Sequence, residues 1–564
     1  MAECKEAALS EEYADFIVES GPALSTLTAI PNACAFPISS DAFNVFIPNE
    51  SVPKNFIQAY GYSVIPNTYG LMDIRSLDVS GVTRIQNIPS LNLRGQGVLI
   101  GYMDTGIDYR HEAFIREDGS SKVYSIWDMT RNTEEAIPDY LPFGIEYTQE
   151  QINQALASDD PLSIVPSTDE DGHGTFLAGI AVGNRNQAED FSGVVPDAEI
   201  VVVKMKPAKK FLREFWRIPD GPIVYQKNDL ILALGYLVGV AERANRPISI
   251  FVGLGTSQGA HDERGSLSRY IQALATRDGI CISIAGGNEG NTGHHYMGTV
   301  ERGEDLVELQ VGANVSGFTM EIWGVTPANF SIDITSPSGE YIPRIPPRRT
   351  ESRVIKFIFE RTLIDVDYQL VESQSGDQLI LLRFTNPTQG LWNFRVYSSA
   401  NITFSFHCWL PIEQFLSKDT FFIRSDPNYT LTSPGNTFLP IVTTAYDGDT
   451  GVLYINASRG FMRTNNIAPT LAAPGVNLIG PALPSGYRTF SGTSVAAAHT
   501  AGICAMLLEW GIIQGRYELI STVEIRNLLI RGARRDPNLI YPNREWGFGI
   551  IDIVNAYNTF RSGE

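Results

Sequence analysis

Three short stretches set a hydroxyl, a carboxylate and an imidazole beside glycines. Phe490-Ser491-Gly492-Thr493-Ser494-Val495-Ala496-Ala497-Ala498-His499-Thr500-Ala501-Gly502 places Ser494 just after a Gly-containing turn. The small residues that follow read as a helix running on to Leu508. A serine there sits in the positive field of a helix N-terminus, where backbone N–H groups can also stabilise an oxyanion. Taken alone, the stretch reads equally well as a buried helix with an N-cap serine. The run Val98-Leu99-Ile100-Gly101-Tyr102-Met103-Asp104-Thr105-Gly106 reads as a parallel strand delivering Asp104 at its C-terminal end, where ligand sites of α/β sheets lie. Asp169-Glu170-Asp171-Gly172-His173-Gly174-Thr175-Phe176-Leu177-Ala178-Gly179 puts His173 between two glycines at the start of an apolar helix. Singly, Asp104 could be a helix cap and His173 a satisfied structural histidine. Together they supply a nucleophile, a base and an orienting carboxylate in the order Asp, His, Ser.

Two more stretches extend the pattern: Gly253-Leu254-Gly255, and Ala285-Gly286-Gly287-Asn288-Glu289-Gly290. With five motifs in order, the chain resembles the subtilisin-like serine protease family over roughly 80–295 and 430–560. The resemblance implies that Ser494 attacks a peptide carbonyl, that His173 carries the proton and that Asp104 holds the imidazole. It implies that Asn288 and the Ser494 N–H bind the oxyanion. It also implies that Gly253, Leu254, Gly255, Ala285 and Gly287 frame the substrate strand and its pocket. Four positions depart from the family. Phe176 and Ala498 stand where His and Pro are usual, and Gly253 replaces a common Ser. Ala113 falls where a calcium-site Asp is common, so neither a metal nor another cofactor is expected.

The elements that must hold these residues alternate strand and helix: 98–104, the helix opened within 169–179, the strand within 194–204, then 229–244, 248–254, 267–277 and 279–285. That alternation predicts a doubly wound parallel sheet of subtilisin-like α/β class, occupying 71–296 and 426–564. Between those parts, 297–425 reads as short strands separated by Gly, Pro and Asn, including 306–311, 318–323, 330–334, 379–384, 392–397 and 402–407. This predicts an inserted all-β jelly-roll domain. Residues 1–70 read as a small α+β unit, with helices over 23–30 and 51–59 and a strand over 43–47. A unit of that kind ahead of such a core resembles the family's prodomain, which plugs the cleft. The stretch 208–220, with Lys209, Lys210, Arg213, Arg217, Phe211, Phe215 and Trp216, reads as a solvated surface loop.

The chain has 564 residues, with 63 acidic against 43 basic side chains and a formal net charge of −20. That balance disfavours nucleic acid and anionic lipid as partners. No run of about 18 apolar residues predicts a membrane span. The start, Met1-Ala2-Glu3-Cys4-Lys5-Glu6, lacks the basic and apolar regions of a signal peptide, which points to an intracellular, spore-type setting. The five cysteines, Cys4, Cys34, Cys281, Cys408 and Cys504, match no zinc spacing, and all five are expected as free thiols.

The intact motifs, the inserted strands and the N-terminus together resemble the Csp group of clostridial germination proteases. The resemblance implies limited proteolysis of a protein zymogen, such as the precursor of a spore cortex-lytic hydrolase, with the chain's own prodomain bound in the cleft. A self-cut is expected within 66–82, with Tyr69 the best single site, because an attached tail has a very high effective concentration. A catalytically idle scaffold and a general degradative protease are the rival readings.

Overall fold

The computed structural model describes residues 2–19, 21–39, 42–53, 55–69, 79–89, 91–132, 140–301, 303–327, 329–347, 350–398 and 402–561. At its centre is an eight-stranded sheet. Its spatial order is Leu471–Pro474, Ile441–Tyr446, Ile280–Ala285, Ile248–Val252, Leu99–Asp104, Glu199–Lys204, Val123–Asp128 and Ile145–Thr148. The first seven run parallel and the last closes the edge antiparallel. Such strands are covered on both faces, so they read as continuous apolar runs. Alternate residues feed two cores: Ile100, Tyr102, Ile200 and Val202 one, Leu99, Met103, Val201 and Val203 the other.

One face carries the helices His173–Val182, Thr493–Leu508 and Thr522–Gly532. The other carries Lys227–Ala244 and Ser266–Ala275. All sixteen residues of Thr493–Leu508 are buried. Strand serines satisfy that helix's neighbourhood: Ser249 Oγ donates to the Ala501 carbonyl and Ser283 Oγ to the Ala497 carbonyl, each at 2.7 Å. Only a glycine fits at Gly502, where a Cβ would lie 2.4 Å from Val194 Cβ.

Between the neighbouring strands Ile280–Ala285 and Ile441–Tyr446 the chain makes two antiparallel sheets. One has six strands, in the order His295–Val300, Phe404–Trp409, Gly317–Gly324, Gln378–Thr385, Leu363–Gln369 and Thr350–Lys356. The other has five: Tyr341–Ile345, Phe330–Thr335, Gly390–Ser398, Glu304–Val311 and Phe421–Phe422. Both sheets feed a single core holding Phe318, Ile322, Phe384, Phe394, Phe406 and Trp392. All six strands expected from the sequence are present. The strands over 341–345, 350–356 and 363–369 are additional, because their polar or Pro-containing sequences carry little apolar signal.

Ahead of the central sheet lies a three-stranded antiparallel sheet, Tyr13–Glu19, Ala42–Pro48 and Cys34–Pro37, with the helices Ala2–Leu9, Pro22–Thr28 and Phe56–Tyr60. The last of these helices is shorter than the stretch 51–59 expected to form it. Cys4 and Cys34 are joined in a disulfide across 30 residues, while Cys281, Cys408 and Cys504 are free and buried. This corrects the expectation of five free thiols. An odd count forbids complete pairing but not one pair, and the fold brings these two Cα atoms to 5.6 Å.

The stretch 208–220 is also corrected. It holds the helix Lys210–Phe215, and Leu212 and Trp216 are buried in a core shared by the N-terminal unit and the six-stranded sheet. Two of its basic residues find partners remote in sequence, while Arg213 donates to the nearby Pro219 and Pro222 carbonyls. Lys209 meets Asp15, and Arg217 meets Asp365 at 2.9 Å. Trp216 Nε1 donates to the Pro66 carbonyl at 3.0 Å. Lys210 alone keeps a largely exposed head.

Candidate active site

The strand Leu99–Asp104 delivers a fully buried carboxylate. Asp104 Oδ1 accepts from the Thr105 N–H and from His173 Nδ1, both at 2.8 Å. The glycines around His173 follow from packing. Gly172 has φ of 94°, a left-handed conformation that glycine adopts without strain. At Gly174 a Cβ would lie 2.2 Å from the Gly106 carbonyl oxygen and 3.2 Å from Asp104 Cβ. The helix can therefore approach the Asp104 loop only without a side chain there. Thr105 Oγ1 accepts from the Gly174 N–H at 2.9 Å and locks that approach.

Asp169 is a supporting residue that sequence reasoning passed over. Its Oδ1 accepts from the N–H groups of Asp171 and Gly172 at 3.1 and 2.9 Å. Its Oδ2 accepts from the Thr175 N–H at 2.8 Å and from Thr175 Oγ1 at 2.7 Å. Thr175 Oγ1 in turn accepts from the Asp108 N–H at 2.9 Å, so one carboxylate ties the His173 helix to the loop after Asp104. The available signal was an Asp just ahead of a Gly-His-Gly helix start. Burial pushes the neighbouring Asp171 carboxyl up, with His173 opposing the shift.

Ser494 occupies the first turn of Thr493–Leu508 and is fully buried. Its Oγ has no hydrogen-bond partner among the described residues. Such contacts are often loose until a substrate is bound. Gly253 lies between the serine and the carboxylate: a Cβ there would lie 3.1 Å from Ser494 Cβ, 3.1 Å from Leu177 Cδ1 and 3.9 Å from Asp104 Oδ2. Asn288 stands beside the serine helix. Its Oδ1 accepts from the Thr493 N–H at 3.2 Å and from Thr493 Oγ1 at 3.1 Å, which turns the amide NH2 end away from Thr493. Gly287, at φ of 113°, makes the turn, and its N–H donates to Thr493 Oγ1 at 3.1 Å. Ala285 ends its strand and Leu254 is buried in the core, so Gly253 and Gly255 offer backbone rather than side chains.

Phe176 is buried against Gly480, where a Cβ would lie 2.4 Å from its ring, and it meets Phe490 at 5.5 Å between ring centres. Ala498 lies within an unbroken helix. Ala113 is buried in the short turn Glu112–Phe114. Among the described residues, no group of three or more His, Cys, Asp or Glu side chains is placed to hold a metal.

A two-residue strand, Thr68–Tyr69, pairs antiparallel with Tyr225–Gln226. Gln258 clamps it, its Oε1 accepting from the Thr68 N–H at 2.9 Å and its Nε2 donating to Thr68 Oγ1 at 3.0 Å. The Lys227 N–H donates to the Asn67 carbonyl at 2.9 Å. Tyr225 lies in the field of the site's acids. Burial pushes its phenol well up, and Asp104 and Asp169 add to that. Of the window 66–82, residues 70–78 lie outside the described residues.

Comparison with known proteins places the chain by family and fold. A family model described as the subtilase family matches residues 95–304 and 396–549. The solved structure of the Clostridium perfringens CspB protease superposes with a TM-score of 0.77 at 29% identity, covering 86% of this chain and 97% of that one. Subtilisin-like protease SBT2.2 of Arabidopsis thaliana is 34% identical over 128 residues, 20% of this chain and 15% of the relative. The C5a peptidase of Streptococcus pyogenes serotype M18 is 20% identical over 465 residues, 78% of this chain and 37% of the relative. The chain thus spans well under half the length of these two relatives. The family match covers more than half of the chain: it belongs to the subtilase family of serine proteases.

Proposed function

We propose that the protein is a serine endopeptidase that cuts its own N-terminal unit and activates a protein zymogen by limited proteolysis. The observation that carries the reading is that Asp104 holds His173 Nδ1 at 2.8 Å while Gly253 sets the same carboxylate close to Ser494. Ser494 Oγ attacks the peptide carbonyl while His173 Nε2 takes its proton. The imidazolium then protonates the leaving amine, and a water repeats the sequence on the acyl-enzyme. Asp104, bonded to Nδ1, holds the tautomer that leaves Nε2 basic. The Asn288 NH2 and the Ser494 N–H receive the oxyanion, and loss of such an amide costs roughly 10²–10³ in rate. Gly253, Leu254, Gly255, Ala285 and Gly287 frame the bound peptide.

In this reading residues 1–70 are a prodomain and 297–425 a jelly-roll domain within a catalytic core of 71–296 and 426–564. The pairing of Thr68–Tyr69 with Tyr225–Gln226 supports a tail lying in the cleft, with Tyr69 at or beside the cut. Full burial of Ser494 supports a resting, occluded state rather than general degradation. Likeness to the CspB protease supports a role in spore germination, with a cortex-lytic hydrolase precursor as substrate. The protein would then act inside the spore, on protein and without a cofactor.

Fluorophosphonate labelling read by mass spectrometry tests this. An N-terminal fragment cut within 66–82 is expected to co-elute with the core, and label is expected on Ser494 once mild denaturant displaces that fragment. Both are expected to vanish in Ser494→Ala, and the label in His173→Ala. Equal labelling of wild type and His173→Ala would sink the assignment. Broad turnover of unfolded proteins would favour the degradative rival, and no turnover at all the idle scaffold.

A further inference from the structure

A cluster of charges lies between the N-terminal unit and the catalytic core, behind the strand that pairs with Thr68–Tyr69. Asp15, on the strand Tyr13–Glu19, is fully buried. Its Oδ1 is 2.5 Å from Lys209 Nζ. Its Oδ2 accepts from Gln226 Nε2 at 2.6 Å and from Asn228 Nδ2 at 3.2 Å, and lies 3.9 Å from Lys206 Nζ. Lys206 Nζ also meets Asp229 at 2.7 Å, and Lys209 Nζ donates to the Ala7 carbonyl at 2.6 Å. No member is more than 4% exposed.

We infer that Lys206, Lys209, Gln226 and Asn228 form a carboxylate-binding socket on the core, and that Asp15 fills it as the determinant that keeps the N-terminal unit docked. Every socket residue is a donor, two of them cationic. With Asp15 in place the buried cluster balances two ammonium groups against two carboxylates. Without it, two ammonium groups face Asp229 alone. Burying an unbalanced charge is strongly unfavourable, so apolar contact elsewhere in the interface cannot substitute for the carboxylate. The titration of the cluster divides: burial pushes the Lys209 ammonium down, with Asp15 opposing, whereas Lys206 moves the other way. Burial works against Lys206, yet Asp229 and Asp15 outweigh it and raise its pKa. Burial also pushes the Asp229 carboxyl up to about 6, with Lys206 opposing. Gln226 links the socket to the cleft, since its backbone pairs with Thr68 while its side chain holds Asp15. An acidic side chain of another protein can enter the socket only in exchange for Asp15.

The test uses the full chain carrying Ser494→Ala, so it does not depend on proteolysis and stands whatever the labelling of Ser494 shows. Opening of the N-terminal unit is read by hydrogen exchange of the Tyr13–Glu19 amides, with Ile280–Ala285 as the internal reference. Asp15→Asn is expected to speed exchange in the first strand at least about 100-fold and leave the second unchanged. Adding Lys209→Met, which restores the balance of charge, is expected to recover most of the protection. If Asp15→Asn alone does not fold, recovery of folded protein by the pair carries the same support. Unchanged protection in Asp15→Asn, or a pair no better than the single variant, overturns the proposal.

Discussion

Around Ser494 the chain is built from glycine, alanine and serine, whereas around Trp323 it is built from tryptophan, tyrosine and phenylalanine. The first region fits by leaving atoms out. Gly174, Gly253 and Gly502 each lie where a single added carbon would meet a neighbour at 2.2–3.1 Å. The second fits by filling. Trp323 and Trp216 flank Tyr62 at 5.7 and 5.8 Å between ring centres, both edge-on, and Phe16 stacks on Phe56 at 4.1 Å. One region sets the positions of reacting atoms, and the other joins three segments remote in sequence. Errors in them should appear in different observables: rate in the first, stability in the second.

Gly174→Ala should separate the two most sharply. The new methyl cannot coexist with the Gly106 carbonyl, so the His173 helix must shift away from Asp104. A displacement on the order of 1 Å costs about 10² in rate. We expect kcat to fall at least about 100-fold while circular dichroism stays native. An active Gly174→Ala protein would break the comparison at its first term.

Trp323→Ala should do the reverse. It opens a cavity in the shared core and removes the 2.8 Å bond from Trp323 Nε1 to the buried Glu321 carboxylate. Loss of a buried Trp costs roughly 3–5 kcal/mol. Urea denaturation should show that loss, with kcat changed less than about threefold. A large fall in kcat would mean that the junction positions the site after all.

Lys227 sharpens the contrast through pH. It lines one cavity together with Tyr62, Asn67 and Trp323. Burial pushes its ammonium down to about 8, with Glu372 opposing. An unfolded lysine titrates near 10.4, so between these values the unfolded chain holds more protons. Stability therefore rises as pH climbs from about 8 to about 10, by on the order of 2 kcal/mol. Denaturation at several pH values should show a rise in Lys227→Met smaller by that amount than in the wild type, since Lys122, which burial pushes down to about 7, keeps its own contribution. An equal slope in both proteins would remove Lys227 from the account.

The same contrast explains what could be read from the sequence. Asp104, His173, Asn288 and Ser494 were legible because close approach demands glycines at fixed offsets, and glycine patterns are local. The parallel strands were legible because Ile200-Val201-Val202-Val203 has no polar face. The junction was not. Phe211, Phe215 and Trp216 with four basic residues looked like a solvated loop, because Asp15, Asp365 and the Pro66 carbonyl lie far away in sequence. Asp169 looked like one acid among several, since its role depends on Thr175 and the Asp108 N–H. The Cys4–Cys34 bridge is invisible to spacing rules because the packing of the helix Ala2–Leu9 on the strand Cys34–Pro37, rather than a motif, sets the distance.

The serine helix has a consequence for how the chain acquires its structure. Its continuation to Ile513 makes a segment of 21 residues, within which a window of 18 has a mean hydropathy of 1.4 and is 83% buried. The hydrogen bonds that seat it reach Ser249 and Ser283, 252 and 214 positions away. Both antiparallel sheets intervene, so the long loop must close before either bond forms. Pairing at such sequence separations makes folding slow. Until then, an apolar segment long enough to cross a bilayer stands uncovered, available to chaperones and to aggregation. The helix that carries Ser494 is thus seated by late, long-range contacts, and a surface that holds the earlier strands in register would shorten the exposed interval.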